Sequence, residues 1–237
     1  SHNYLHHTYT NVVGKDRDLG YGILRLTDDE PWKPQHLAQP ISNTLLSLFF
    51  EYGVALHDLE TDRVKNGEKK LSIDEVKPVL QKILSQVAKD YVYFPATAGT
   101  NAIPVLTGNV VANLMRNVWA HAIIFCGHFT SDVETFHVED TEGETRGEWY
   151  LRQLRGSGNL EGDWWFHVLT GNLSHQIEHH LFPDVPAWRY AEMAPKVRAI
   201  CEKYGQHYNT GSFVKQYSEV LKRIFRYSLP DGLFKVA

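Results

Sequence analysis

Cysteine is nearly absent from this chain: Cys126 and Cys201 are the only two in 237 residues. Two thiols cannot build a disulfide framework, and their separation is wrong for a thiolate zinc or iron-sulfur site, so a reducing compartment fits best. A basic block is missing too, the one charge-biased stretch being the acidic, polar segment from Asp132 to Glu148. The 24 basic and 28 acidic residues are interspersed, for a formal net charge of -4, which leaves no electrostatic footprint for a nucleic acid partner. No G-x-G-x-x-G fingerprint for flavin or nicotinamide occurs, nor any solenoid repeat or low-complexity tract, and strand alternation is scarce. The opening residues SHNYLHH lack an initiator Met, a basic region and an apolar region, so no signal peptide is read there. Truncation or removal of earlier residues is therefore expected.

What is present is enough apolar content, 43%, to bury a core in one functional unit that is mostly α. Between Tyr91 and Ser131 the one formally charged residue is Arg116. A bilayer core needs about 20 helical residues per span, so residues 91–131 are expected to form a membrane hairpin turning near Thr107-Gly108-Asn109. A pair of buried core helices is the alternative. Ile41 to Leu56 reads as a further apolar helix, and Ser72 to Lys89 as a solvated amphipathic one. Two later helices are expected near Ala187 to Tyr204 and Phe213 to Tyr227.

Histidine patterning is the strongest signal. His2-Asn3-Tyr4-Leu5-His6-His7 and His175-Gln176-Ile177-Glu178-His179-His180 share the spacing H-x-x-x-H-H. With 13 histidines in the chain, one such triplet arises by accident in roughly one chain in 25 and two in about one in a thousand, so accident is a poor explanation. On a helix, residues i and i+4 share a face, so His2 with His6, and His175 with His179, are expected to converge, while His7 and His180 project about 100° away. Neutral imidazoles suit iron, zinc, copper or nickel. A tag remnant for the first triplet and satisfied core histidines for the second are the bland readings. Glu178 and Asp184 are carboxylates placed to orient ligand imidazoles. His128, at the end of the apolar run, is a further candidate, as are His121 seven residues earlier on the same helical face and Asn117 another turn back. His36, His57, His137, His167 and His207 read as ordinary surface or core residues.

At this point HNYLHHTYTN, from His2 to Asn11, and GNLSHQIEHHLFP, from Gly171 to Pro183, closely resemble the second and third histidine boxes of the membrane fatty acid desaturase family. GHFT from Gly127 and WYLRQL from Trp149 extend the likeness, which is nearest to the actinobacterial acyl-CoA desaturases. The resemblance implies a helical membrane protein with four spans and a cytosolic helical cap over residues 132–237, integral to the membrane with its active site facing the cytoplasm. It implies two iron ions, with dioxygen as co-substrate, held by His2, His6, His7, His128, His175, His179 and His180, with no catalytic side chain beyond the ligands. Gln176 competes with His175 for one ligand position, and Asn172, His121, Asn117 and Glu178 are candidates for a ligand or supporting role. The implied substrate is a long-chain acyl-CoA or acyl lipid, and electrons come from a separate ferredoxin, cytochrome or NADPH-dependent reductase. Nothing in the chain matches the family's first histidine box or its first two spans, so residues 1–237 read as the C-terminal portion of a desaturase domain. A membrane di-iron hydroxylase is the nearest rival, and a non-catalytic metal-binding membrane protein is the rival from another class.

Overall fold

Short polar side chains set where the helices begin. Ser72 Oγ accepts from the Glu75 amide at 3.3 Å, Thr145 Oγ1 from the Glu148 amide at 3.3 Å and Asp163 Oδ1 from the Phe166 amide at 2.8 Å, each satisfying an amide that the first helical turn leaves open. Glu148 also closes a capping box by accepting from the Thr145 amide, and these bonds hold its carboxyl below the usual range. The structure, a computed structural model, describes residues 2–65 and 67–232, the side chains of 2, 3, 62 and 65 excepted. It is mostly helical, with α1 Gln39–Leu48, α2 Phe50–His57, α3 Thr61–Lys65, α4 Ile73–Ala88, α5 Phe94–Thr97, α6 Ala102–His128, α7 Arg146–Arg155, α8 Trp164–Leu169, α9 Gln176–Leu181, α10 Tyr190–Lys203 and α11 Phe213–Ser228. Strands β1 Asn159–Glu161 and β2 Thr210–Ser212 pair in parallel, with Leu160 opposite Gly211.

The chain divides into two compact units, one of Ser1–Asn43 with Ala122–Ala237 and the other Thr44–His121. In the second unit, α6 runs unbroken through Thr107, Gly108 and Asn109, so the expected turn does not occur there. Asn109 instead donates to the Asp90 carbonyl at 2.6 Å, and Asn113 reaches the Asp90 carboxylate at 3.0 Å, tying the segment before α5 to α6. The chain reverses earlier, at Gly99, whose φ of +58° is open to a residue without a Cβ. Among the described residues, one helical stretch, Gly99–His128, is long and apolar enough to cross a bilayer. The apolar run from Ile41 is interrupted at Phe49, where Asn117 accepts from the Glu51 amide and donates to the Leu48 carbonyl, at 3.2 and 3.1 Å. α4, the expected amphipathic helix, opens on a capping box between Ser72 and Glu75, and Ile73, Leu80 and Leu84 stand exposed on it.

In the first unit, α7, α9 and α10 pack around Leu154, Ile177, Leu181, Val197 and Cys201, with Tyr150, Phe182 and Tyr208 against them. Each large aliphatic side chain buried there contributes about 1.5–3 kcal/mol. The N-terminal segment is stitched to this core by Asn11, whose amide donates to the carbonyls of His128, Glu134 and Gly156 at 3.1 to 3.2 Å. Asn11 adopts φ +55°, a left-handed conformation that asparagine tolerates and that these three bonds hold in place. Arg152 completes the seam: it is buried, donates to the Thr8 carbonyl at 2.9 Å and forms a two-pronged pair with Glu144 at 2.7 and 2.8 Å. Glu144→Ala leaves that guanidinium buried without its counter-charge. The expected loss is about 3 kcal/mol, read as a fall in the unfolding midpoint in detergent, with Glu144→Gln losing less.

Candidate metal centre

Three elements of the first unit deliver histidines to one place. A π-helical turn, His2–His6, carries His6 and leads directly to His7; the end of α6 carries His128; α9 carries His179 and His180. His6, His7, His128 and His180 are buried and His179 is half-buried. Two all-histidine groups of possible ligands result, His6 with His128 and His180, and His7 with His179 and His180, besides a third of His6 with Asp16 and Asp18, the ligand atoms within each group lying within 4.8 Å of one another. Imidazole nitrogens that share a transition-metal ion at about 2.1 Å lie roughly 3–4 Å apart, so the spacing suits an ion in each group. His180 belongs to both.

The outer contacts of the rings fix where their protons sit. His6 Nδ1 donates to Asp16 Oδ2 at 2.9 Å, and His128 Nδ1 faces the Gly156 carbonyl at 3.3 Å. Gln153 donates its amide to the His7 carbonyl at 3.0 Å, which turns Oε1 toward His180 Nδ1 at 3.2 Å, with Thr10 Oγ1 at 3.0 Å from the same nitrogen. These contacts favour the neutral tautomer in which Nδ1 carries the proton and Nε2 keeps its lone pair. Nevertheless His128 Nε2 and His180 Nε2 face each other at 3.2 Å. The Gln176 amide can donate to one of these lone pairs, whereas a cation would take up both, and this is a sign that the residues fit a metal. Burial, followed by the neighbouring imidazoles, depresses His180 well below the usual histidine value and keeps it neutral. Burial also pulls His6 down, but the charge and hydrogen bond of Asp16, helped by Asp18, carry it above the usual value.

Gln176, not His175, reaches this cluster. Its side-chain nitrogen is 3.1 Å from His128 Nε2, and its buried Oε1 has no hydrogen-bond partner. α9 begins at Gln176, so His175, with φ -100° and ψ 59°, stands outside the helix and does not share a face with His179. The expected i, i+4 pairing fails for that reason. His175 instead stacks on His167 at 4.4 Å, and burial and that neighbour lower it to about 4. The His2 side chain lies outside the described residues, and the backbone at His2–His6 is π-helical rather than the expected α-helix.

The remaining candidates have other engagements. Glu178 accepts from Asn159 at 2.8 Å and Tyr208 at 2.9 Å, and its nearest recorded imidazole is His175 at 4.0 Å, so it does not orient a clustered histidine. Burial raises its carboxyl above the usual range. Asn172 takes φ +61° in the turn before α9. His121 packs edge-on against Phe50, and Asn117 bridges the α1–α2 break, both within the second unit. Neither belongs to a ligand group among the described residues. Asp16, Thr10 and Gln153, which position the rings, and Tyr190, whose hydroxyl is 3.2 Å from His179 Nδ1, carry no spacing signal of their own. Thr10 and Gln153 do fall within the box-like segments HNYLHHTYTN and WYLRQL. A cavity of about 60 Å³ adjoins the cluster, walled by Tyr21, Ile124, Phe129 and Leu173 as well as by the histidines.

A family model described as fatty acid desaturase matches residues 1–212. An NADPH-dependent stearoyl-CoA 9-desaturase of Mycobacterium tuberculosis is 44% identical over 237 residues, covering 98% of this chain and 56% of the relative. An sn-1 linoleoyl-lipid 6-desaturase of Synechocystis is 27% identical over 216 residues, covering 87% of this chain and 59% of the relative. The chain thus spans a little over half the length of these curated relatives. No solved structure matches it.

Gly127 supplies a direct test of the cluster's packing. A Cβ added there would meet Gln176 Cγ at 2.6 Å, so Gly127→Ala pushes Gln176 off His128. Metal affinity of the complete protein should fall roughly tenfold, measured by metal content against a chelator series, while helicity is retained.

Proposed function

The chain belongs to the fatty acid desaturase family, and from that we propose that it carries the principal metal ligands of an oxygen-dependent acyl desaturase. The ligands are His6, His7, His128, His179 and His180, with His2 completing the first triplet and Gln176, rather than His175, beside His128. The observation that carries the reading is His180, shared by two histidine groups and facing His128 at 3.2 Å with its proton committed elsewhere. Such a set of neutral imidazoles suits iron. Iron bound there would supply, with dioxygen and two electrons from a separate donor, the oxidising power to turn a methylene pair into a double bond, with water as by-product.

The chain's own residues do the positioning. Asp16, the Gly156 carbonyl and Gln153 hold protons on Nδ1 of His6, His128 and His180, which aims the opposite nitrogens inward. Tyr21, Ile124, Phe129 and Leu173 present an apolar wall beside these rings, which excludes water and fixes which part of an alkyl chain comes near. A long-chain acyl-CoA is the substrate favoured by the likeness to the mycobacterial stearoyl-CoA 9-desaturase, and the words NADPH-dependent in that relative's name favour a reductase as the electron source. The family and the apolar stretch Gly99–His128 support a place in the membrane, with the histidine cluster on the cytoplasmic side.

The complete gene, expressed in a desaturase-deficient host, should yield fatty acids lighter by two hydrogens on gas chromatography with mass detection. Gain of one oxygen instead would mean hydroxylation. His180→Ala should abolish the unsaturated product and lower bound iron at least about tenfold. His207→Ala, at an exposed position, should change neither.

A further inference from the structure

The outer face of α11 and the groove beside it have no part in the histidine cluster. The groove encloses about 690 Å³, lined by Ser131 and Val133 on one side and by Lys222, Phe225, Arg226 and Tyr227 on the other. Two other charges at its wall are already engaged. Glu219 accepts from the Ser131 hydroxyl at 2.7 Å, and Arg223 donates to the carbonyls of Leu26 and Thr130 at 3.0 and 3.2 Å. Lys222 and Arg226 stand exposed, and among the described residues neither has a carboxylate partner. Lys215, about two turns up the helix from Lys222, is exposed as well. Alongside these cations runs an apolar stripe at helical spacing, Val214, Leu221 and Phe225, the last 56% exposed.

Cations flanking an aromatic and aliphatic stripe match the boundary between phosphate headgroups and acyl chains. The location of α11 in its own unit selects that partner over an acidic protein. Ser131 lies three residues beyond His128, where the apolar helix α6 ends. At the other side Gln39, the first residue of α1, donates to the Ile224 carbonyl at 2.9 Å, with Leu37 and Ile41 exposed on either side of it. α11 is therefore fastened to both places at which apolar helices join the first unit.

We infer that α11 is an interfacial helix whose Lys222–Arg226 groove seats the phosphate of an anionic membrane phospholipid, with Phe225 inserted beside it. The inference does not depend on the catalytic reading. It is tested on the complete protein in nanodiscs of phosphatidylcholine with or without phosphatidylglycerol, using a bimane label at F225C and headgroup spin-labelled lipids. Cys126 and Cys201 are buried, and unmodified protein put through the same labelling gives the background. Quenching should rise with phosphatidylglycerol and be reversed by raising salt on the same sample. K222E/R226E should weaken the lipid effect by at least about fivefold, since each surface cation contributes about that factor near an anionic membrane. Equal quenching in both lipid mixtures overturns the proposal. So does quenching that is insensitive to lipid while the label is shielded only when an acidic electron carrier is added.

Discussion

Two buried imidazole nitrogens held 3.2 Å apart, His128 Nε2 and His180 Nε2, are the constraint around which the polar contacts of this site are arranged. Imidazoles placed on a surface would rotate apart and hydrate. Here they cannot, because His180 and His128 are buried and each is gripped on its far side by Gln153 or by the Gly156 carbonyl. Beside the facing pair stands the Gln176 side-chain nitrogen, 3.1 Å from His128 Nε2. A cation beside the two nitrogens would draw on both lone pairs, which is why the directions of these hydrogen bonds favour the proposed metal site.

Holding that arrangement takes residues far apart in the chain. The first histidine segment is kept in place by Asn11 reaching three carbonyls, Arg152 reaching Thr8, and Asp16 accepting from both the Asn11 amide and His6. α9, only six residues long, is fixed by a polar network beneath it in which Glu178, Asn159 and Tyr208 satisfy one another. That network explains why an acidic residue inside a histidine motif does not serve the histidines. Its burial against apolar neighbours raises its carboxyl and ties it to the core, leaving the opposite helix face to His180.

Much of this was legible in the sequence, because repeated imidazoles at fixed spacing are rare and because apolar spacing, with Pro186 and Ser212 near two helix starts, marks the helices. The helical class, α10, α11 and the amphipathic α4 follow from such local signals. The His175 pairing was not legible: a spacing rule assumes a helix, and the Gly171-Asn172 turn, with φ of +62° and +61°, delays α9 by one residue past His175. The reversal near Thr107 failed for a related reason. Gly108 fits in a helix when side chains such as Asn109 and Asn113 hold the neighbouring segment, and pattern alone does not reveal that Asp90 waits there. Asp16 and Gln153 were invisible because their roles arise only from tertiary contact, across 10 residues to His6 in one case and 27 to His180 in the other.

Anomalous scattering at the iron edge from crystals of the complete protein tests the central claim most directly. The account predicts iron within reach of His180 in both groups, one among His6, His128 and His180 and one among His7, His179 and His180. Iron beside His175 and His167, or none in contact with His180, would contradict it.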